Sequence, residues 1–225
     1  MAATVAIVLA GGRSARMGTP KAALELNGST LLSRVVDTLG AAAGRVVVVR
    51  APGQALPKLP AGVAVVDDAR PGRGPLEGML AGLRRLEADE AAAFVCAVDM
   101  PFLEAPFARA VLAALPPDAD AAVPRLDGRA HPLAAAYRAN VAERIAALLD
   151  AGDRRVGALL EGITVAWLEA RDLPGGGGSL RNVNTPADLA AARQSMREKA
   201  TGTPAAAPPG GTSASAVAPV SEVMA

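Results

Sequence analysis

The sequence predicts an α/β domain: a single doubly wound, mostly parallel, Rossmann-like sheet with helices on both faces. Three observations carry this. Continuous β-branched or apolar runs recur at Val5–Leu9, Val46–Val49 and Ala91–Val98, the pattern of buried strands, and Val63–Val66 gives another short strand. Segments with apolar residues at helical spacing lie between most of these runs. Polar stretches rich in glycine or proline follow several of them, as in strand-to-helix connections of parallel sheets.

Taken in order, the first run breaks into a stretch holding Gly11, Gly12, Arg13, Arg16, Gly18, Pro20 and Lys21. This is a strand feeding a phosphate-binding loop, in which small residues free backbone N–H groups for anionic oxygens and the cations supply compensating charge. Its glycines do not fit G-x-G-x-x-G, and Pro20 before Lys21 excludes G-x-x-x-x-G-K-[ST]. Ser29 or Thr30 is placed to cap a helix carrying Leu31, Leu32, Val35, Val36 and Leu39, with Gly40 near its end. Asp67 and Asp68 open a loop that runs to Pro75 and delivers a helix with Leu76, Met79, Leu80, Leu83 and Leu86. The strand Ala91–Val98 ends in Asp99-Met100-Pro101, and Pro106–Leu115 reads as a helix closed by Pro116-Pro117.

The second half is less regular. Strands are expected at Ala119–Val123, Leu133–Tyr137 and Ile163–Leu168, and helices at Asn140–Leu149 and Arg154–Leu160. Gly175–Gly178 reads as a floppy connection. A last helix runs from Ala187 to about Lys199, with Thr185 as cap, Pro186 at the first helical position and Asp188 near the positive end. Residues 1–199 are thus expected to form one domain. Residues 200–225, rich in Ala, Pro, Gly and Ser, lack the apolar periodicity that offsets the entropy of ordering and read as a disordered tail.

Composition narrows the function classes. Formal charge is +1, from 23 basic and 22 acidic residues, so neither nucleic acid nor an anionic membrane is an expected partner. Aromatic residues make up only 2%, too few for a base-stacking surface. The single Cys96, set in an apolar run, reads as a small buried hydrophobe. The residues after Met1 show no basic leader, and the first apolar run is too short for export or membrane spanning, so the expected location is the cytoplasm.

In open parallel sheets ligands sit outside the carboxyl ends of the strands. The loop to Lys21, the pair Asp67 and Asp68, and Asp99 each follow a strand, so connectivity alone sends all three to one rim. A carboxylate at Asp99 suits Mg²⁺ held against phosphate oxygens, and the alternative is a turn cap. Asp67 and Asp68 read as metal or nucleotide contacts or as solvated loop residues. His131, the one histidine, has no Ser-His-Asp or Cys-His setting and is kept as a substrate contact only. Asn182 and Asn184, two apart in an extended segment, project to the same side, toward a helix start or toward a ligand.

The stretches LAGGRSARMGTPK at 9–21, the aspartates 67 and 68 with GPLEGMLAGL at 74–83, VDMPF at 98–102, HPLAAAY at 131–137, AGDRRV at 151–156 and NVNTPADL at 182–189 together resemble the molybdenum cofactor guanylyltransferase family. The resemblance runs from about Val5 to Ala192 and makes residues 1–199 a nucleotidyltransferase domain. It implies transfer of GMP from GTP to the terminal phosphate of molybdopterin or its molybdenum-bearing form, with release of pyrophosphate. By the same resemblance, Leu9, Ala10, Gly11 and Gly12 form the backbone that contacts GTP. Lys21 is the phosphate-binding lysine, with Arg16 beside it. Asp68, or Asp67 under an alignment shifted by one, contacts the nucleotide, Asp99 is the Mg²⁺ ligand, and Asn182 and Asn184 line the far side of the cleft. Arg50 stands near where the family often carries an asparagine, so no role is carried over to it. Molybdoenzyme maturation proteins are further expected partners. The alternatives are a molybdopterin cytidylyltransferase or another nucleotidylyltransferase of the same fold, and a non-catalytic cofactor carrier.

Overall fold

A computed structural model describes residues 4–11, 19–70 and 72–201. Gly12, Arg13, Arg16 and Gly18, and the expected tail beyond residue 201, lie outside the described residues. Strand β1 (Val5–Leu9) is buried throughout and leads to the site. A hairpin of β2 (Glu25–Leu26) and β3 (Ser29–Thr30) follows, turned by Asn27 and Gly28 at φ 50° and 79°. Those left-handed values are what Asn-Gly supplies in a two-residue hairpin loop, so the dipeptide was the available signal for an element the strand–helix alternation passes over. Thr30 caps α1 (Leu31–Gly40), its hydroxyl accepting from Ser33 N at 3.1 Å. Next come β4 (Arg45–Arg50), β5 (Ala64–Asp67), α2 (Pro75–Leu83), β6 (Ala92–Ala97) and α3 (Ala105–Ala113). The second half supplies β7 (Ala121–Leu126), β8 (Arg129–Ala130), β9 (Ala134–Arg138), α4 (Val141–Asp150), α5 (Val156–Glu161), β10 (Val165–Glu169) and α6 (Pro186–Thr201).

The main sheet runs in the order β10-β7-β9-β6-β1-β4-β5, with β8 paired to β7. Strand β1 lies parallel to β4 on one side and to β6 on the other, Ile7 matching Val47 and Val95. The sheet is mixed, because β9 runs antiparallel to both β6 and β7 and so restores a parallel direction to β7 and β10. Its two faces carry separate cores. Ala6 and Val8 point to the layer of α1, α3 and α6, while Val5, Ile7 and Leu9 point to that of α2, α4 and α5. This is the period-2 alternation of a central strand covered on both sides. Cys96 is fully buried, and burial raises its thiol pKa, as expected of an inert core residue.

Two local features depart from expectation or set tolerances. Gly175–Gly178 is not a floppy connection. It forms a packed turn running into a 3₁₀ segment, Gly176–Leu180, and a Cβ at Gly177 would lie 2.8 Å from Leu126. The glycines are there for close approach, which composition alone does not distinguish from looseness. In α2 a Cβ at Gly82 would sit 2.5 Å from Ile7 Cγ2, so the helix lies directly on β1 and carries the Gly74–Gly78 end toward the strand exits.

At the opposite end of the sheet, buried Glu90 accepts hydrogen bonds from Arg45 Nε at 2.8 Å, from Arg45 Nη2 and from Glu87 N at 2.7 Å. These bonds, Arg45 foremost, hold its carboxyl below the ordinary carboxylate value despite burial. Gly82→Ala is expected to destabilise by about 1–3 kcal/mol through overpacking against a β-branched neighbour, read by denaturant unfolding. For Glu90→Gln the loss at pH 7 is expected to be about 2 kcal/mol. A depressed carboxylate contributes stability above its unfolded pKa and loses it as pH falls through the folded value, so the difference between Glu90→Gln and wild type should shrink below about pH 4 in unfolding measured against pH.

Candidate active site

Strand β1 ends at Leu9, and the chain leaves it pinned. Ala10 N and Gly11 N both donate to Val49 O, at 2.8 and 3.2 Å. Gln54 Nε2 donates to Ala10 O at 3.0 Å, and its Oε1 accepts from Ala51 N at 3.0 Å, which clips the exit of β1 to the turn after β4. A Cβ at Gly11 would approach Ala51 N to 3.2 Å, so this crossing needs the small residue.

Three distant segments meet beside this exit. Lys21 opens a single 3₁₀ turn, Lys21–Ala23, and its ammonium donates to Asp99 Oδ2 at 2.7 Å and to Asn184 Oδ1 at 2.5 Å. Asn182 Nδ2 reaches Asp99 Oδ1 at 3.4 Å, and Val183 N donates to Asp99 O at 2.8 Å. Asn182 and Asn184 thus project to the same side, and that side is the Asp99 carboxylate and its lysine. The Lys21 and Asp99 side chains are 21% and 13% exposed, so solvent screens their attraction less than it would a surface pair. Among the described residues no three His, Cys, Asp or Glu side chains converge into a metal cage. A single carboxylate at Asp99 is an oxygen donor of the kind Mg²⁺ accepts beside phosphate oxygens and water, and that softer metals do not select.

Asn184 is itself held by a helix cap. Asp188 Oδ2 accepts from Asn184 N at 2.9 Å and from Thr185 N at 2.8 Å, while Asp188 N donates to Thr185 Oγ1 at 3.1 Å. This reciprocal cap starts α6 at Pro186 and depresses the Asp188 pKa, the bond from Asn184 N contributing most. The expected roles of Thr185, Pro186 and Asp188 at the helix start are met, and the cap also aims Asn184 at Lys21.

A cavity of 570 Å³ opens on the same rim, floored by Leu9, Val49, Gly78 and Leu133 and edged by Arg50 and Asp68. Asp67 ends β5 and pairs with Arg50 Nε at 2.7 Å, so of the two aspartates it is Asp68 that meets the cavity. Burial, and secondarily the Glu77 carboxylate, raise the Asp68 pKa against a bond from Arg70 N. Glu77 is 2% exposed and bonded on one oxygen by Arg70 Nε at 3.2 Å. His131 sits in the turn before β9, its backbone N donating to Pro124 O at 2.9 Å, and burial lowers its imidazole pKa. It is not part of the cavity wall; Leu133, two residues on, is.

No local sequence signal marks Gln54, because its contact with Ala10 exists only once β1 and β4 are adjacent. Asp188→Ala is expected to lower the melting temperature by a few degrees and to loosen Asn184. The check is thermal unfolding together with backbone amide exchange at residues 184–189, which should accelerate relative to the rest of the domain.

Residues 6–167 match the family described as the MobA-like NTP transferase domain. A probable molybdenum cofactor guanylyltransferase from Mycobacterium bovis BCG is 43% identical over 198 residues, covering 85% of this chain and 94% of that protein. One of the same name from Mycobacterium marinum is 43% identical over 189 residues, covering 82% and 90%. Among solved structures, the molybdopterin-guanine dinucleotide biosynthesis protein A of Archaeoglobus fulgidus superposes with a TM-score of 0.70 at 25% identity, covering 87% of this chain and 99% of that one. A 2-C-methyl-D-erythritol 4-phosphate cytidylyltransferase from Thermus thermophilus, at 22% identity and a TM-score of 0.65 over 88% and 100%, has the same fold. A family match over most of the domain and relatives that overlap nearly end to end lead to one conclusion: the chain belongs to the molybdenum cofactor guanylyltransferase family of MobA-like NTP transferases.

Proposed function

We propose that this protein transfers GMP from GTP to the terminal phosphate of molybdopterin, or of its molybdenum-bearing form, in a Mg²⁺-dependent reaction that releases pyrophosphate. The observation that carries the reading is the meeting of Lys21, Asp99, Asn182 and Asn184 on the rim that also holds the cavity edged by Asp68. Asp68 follows β5 and Asp99 follows β6, three strand spacings apart, about 14 Å at roughly 4.8 Å each. A nucleotide bridges such a span, its base in the cavity and its phosphates toward Lys21.

In the step itself an oxygen of the acceptor phosphate attacks the α-phosphorus, the bond from that phosphorus to the bridging oxygen breaks, and pyrophosphate departs with the electron pair. The acceptor oxygen is already anionic, so no general base is required and none is assigned. The work left to the protein is alignment and charge neutralisation. Lys21 would share its ammonium between Asp99 and the leaving phosphates, with Arg16 beside it by the family resemblance. Leu9, Ala10, Gly11 and Gly12 would contact GTP through their backbone. Asp99 is the residue that would hold Mg²⁺, which when bound draws charge from phosphoryl oxygens and orders them. Asn182, Asn184 and His131 are assigned to the acceptor side. No described helix is long and apolar enough to cross a membrane. We place the reaction in the cytoplasm, a reducing setting that suits a lone buried thiol, with molybdoenzyme maturation proteins as downstream recipients.

The test is pyrophosphate release by the purified protein with Mg²⁺, molybdopterin and either GTP or CTP. Preferential consumption of GTP is expected, and Asp99→Asn should cut turnover ~100-fold or more while leaving thermal unfolding nearly unchanged. Equal or greater use of CTP overturns the guanylyl assignment, and no turnover with either nucleotide overturns the enzyme reading in favour of a carrier.

A further inference from the structure

The ammonium of Lys21 occupies a place built for a cation. Asp99 Oδ2 at 2.7 Å and Asn184 Oδ1 at 2.5 Å both turn an oxygen toward it, and Asn182 Nδ2 faces the other carboxylate oxygen at 3.4 Å. The oxygens around this place do not depend on the lysine for their position. Asp99 is tied through its backbone, its O accepting from Val183 N at 2.8 Å, and Asn184 through its backbone N, which donates to Asp188 Oδ2 at 2.9 Å. Lys21 reaches them from the far side of the rim. Pro20 and the buried Ala22 fix the backbone on either side of it, while a flexible four-carbon stem carries the charge. The oxygen pair is therefore fixed and the cation between its members is movable.

We infer, on the reading of Asp99 as the Mg²⁺ ligand, that Lys21 is a resting-state latch: its ammonium keeps a divalent cation from the Asp99 and Asn184 oxygens until a polyphosphate draws it away from Asn184. Two cations on one carboxylate repel each other, and the Asp99 side chain is only 13% exposed, so water screens that repulsion less than it would at the surface. Without nucleotide, the lysine therefore excludes the metal. Polyphosphate oxygens reverse the balance, because they bring the negative charge that lets an ammonium and a metal ion share Asp99. Lys21 then pivots on Asp99 Oδ2, exchanging Asn184 for the phosphates. Asn184 Oδ1, an amide oxygen of the kind that Mg²⁺ and Mn²⁺ accept, is released in the same movement. The latch makes metal loading conditional on the nucleotide, and it keeps the Asn184 amide occupied until the phosphates arrive. It also couples the two events through one side chain, since the group that leaves Asn184 is the group that grips the phosphates.

The test uses Mn²⁺ as a spectroscopic substitute for Mg²⁺ and needs no turnover. Titrated by electron paramagnetic resonance without nucleotide, Lys21→Met should bind Mn²⁺ on the order of 10-fold or more tighter than wild type, a gain that the double variant Lys21→Met, Asp99→Asn should lose. In the wild type, tripolyphosphate added with EDTA present should shift the Lys21 ammonium and the Asn184 side-chain amide together in ¹⁵N NMR, where the chain's three lysines and four asparagines leave few resonances to assign. An ammonium that shifts while the Asn184 amide stays in place overturns the latch without any variant. So does Lys21→Met binding Mn²⁺ no more tightly than wild type, an outcome that leaves the role of Asp99 standing if Asp99→Asn still weakens binding of the Mn²⁺–GTP complex. If Asp99→Asn binds that complex as tightly as wild type does, it is the magnesium reading that fails, and the latch with it.

Discussion

A parallel arrangement of β4, β1 and β6 is the constraint on which everything else depends. Parallel strands exit at one end, and each exit is a place where the chain stops hydrogen-bonding to its neighbours and has backbone and side chains to offer a ligand. Because β1 is buried on both faces, its exit at Ala10 and Gly11 cannot drift, and Val49 O and Gln54 hold it further. The neighbouring exits then bring Arg50, Asp68 and Asp99 to the same rim. The strands that run backwards, β9 and the short β8, extend the sheet without disturbing this, since both lie beyond β6.

Onto that rim the chain adds a closure from its far end. The segment 181–184 is tied to Asp99 through Val183 N and Asn182, and to Lys21 through Asn184, while Asp188 fixes its continuation into α6. One ammonium therefore joins the segment after β1 to the carboxylate after β6 and to the amide before the last helix. Such a charge-assisted junction, mostly withdrawn from water, is stronger than a surface pair and orients each of its members. In the proposed reaction the same ammonium and carboxylate that satisfy one another here are the groups a polyphosphate and its cation would call upon.

Much of this was legible in the residues. Val5–Leu9, Val46–Val49 and Ala91–Val98 announce buried strands through unbroken apolar runs, and Asp99-Met-Pro marks the end of one of them. Asn182-Val-Asn184 declares its shared face by spacing alone, and Thr185-Pro-Ala-Asp188 declares a helix start by chemistry. Other parts were not. The β2–β3 hairpin is two residues a side, too short for periodicity, and only Asn27-Gly28 betrays it. The glycines at 175–178 carry the same letters whether they loosen a loop or admit Leu126 against the backbone. The choice between Asp67 and Asp68 turns on which of two consecutive side chains faces Arg50, a matter of strand register.

The amino-acid order by itself determined the fold class, the strand exits and the residue types gathered after them, because periodicity, punctuation and cap chemistry are local and act between residues close in the chain. The tertiary structure decided which of those residues meet. That Lys21 finds Asp99 and Asn184, that Gln54 clips Ala10, and that Arg50 takes Asp67 and leaves Asp68 to the cavity all follow from strand order and register. Those are set by the packing of distant segments into one core, and no local pattern encodes them.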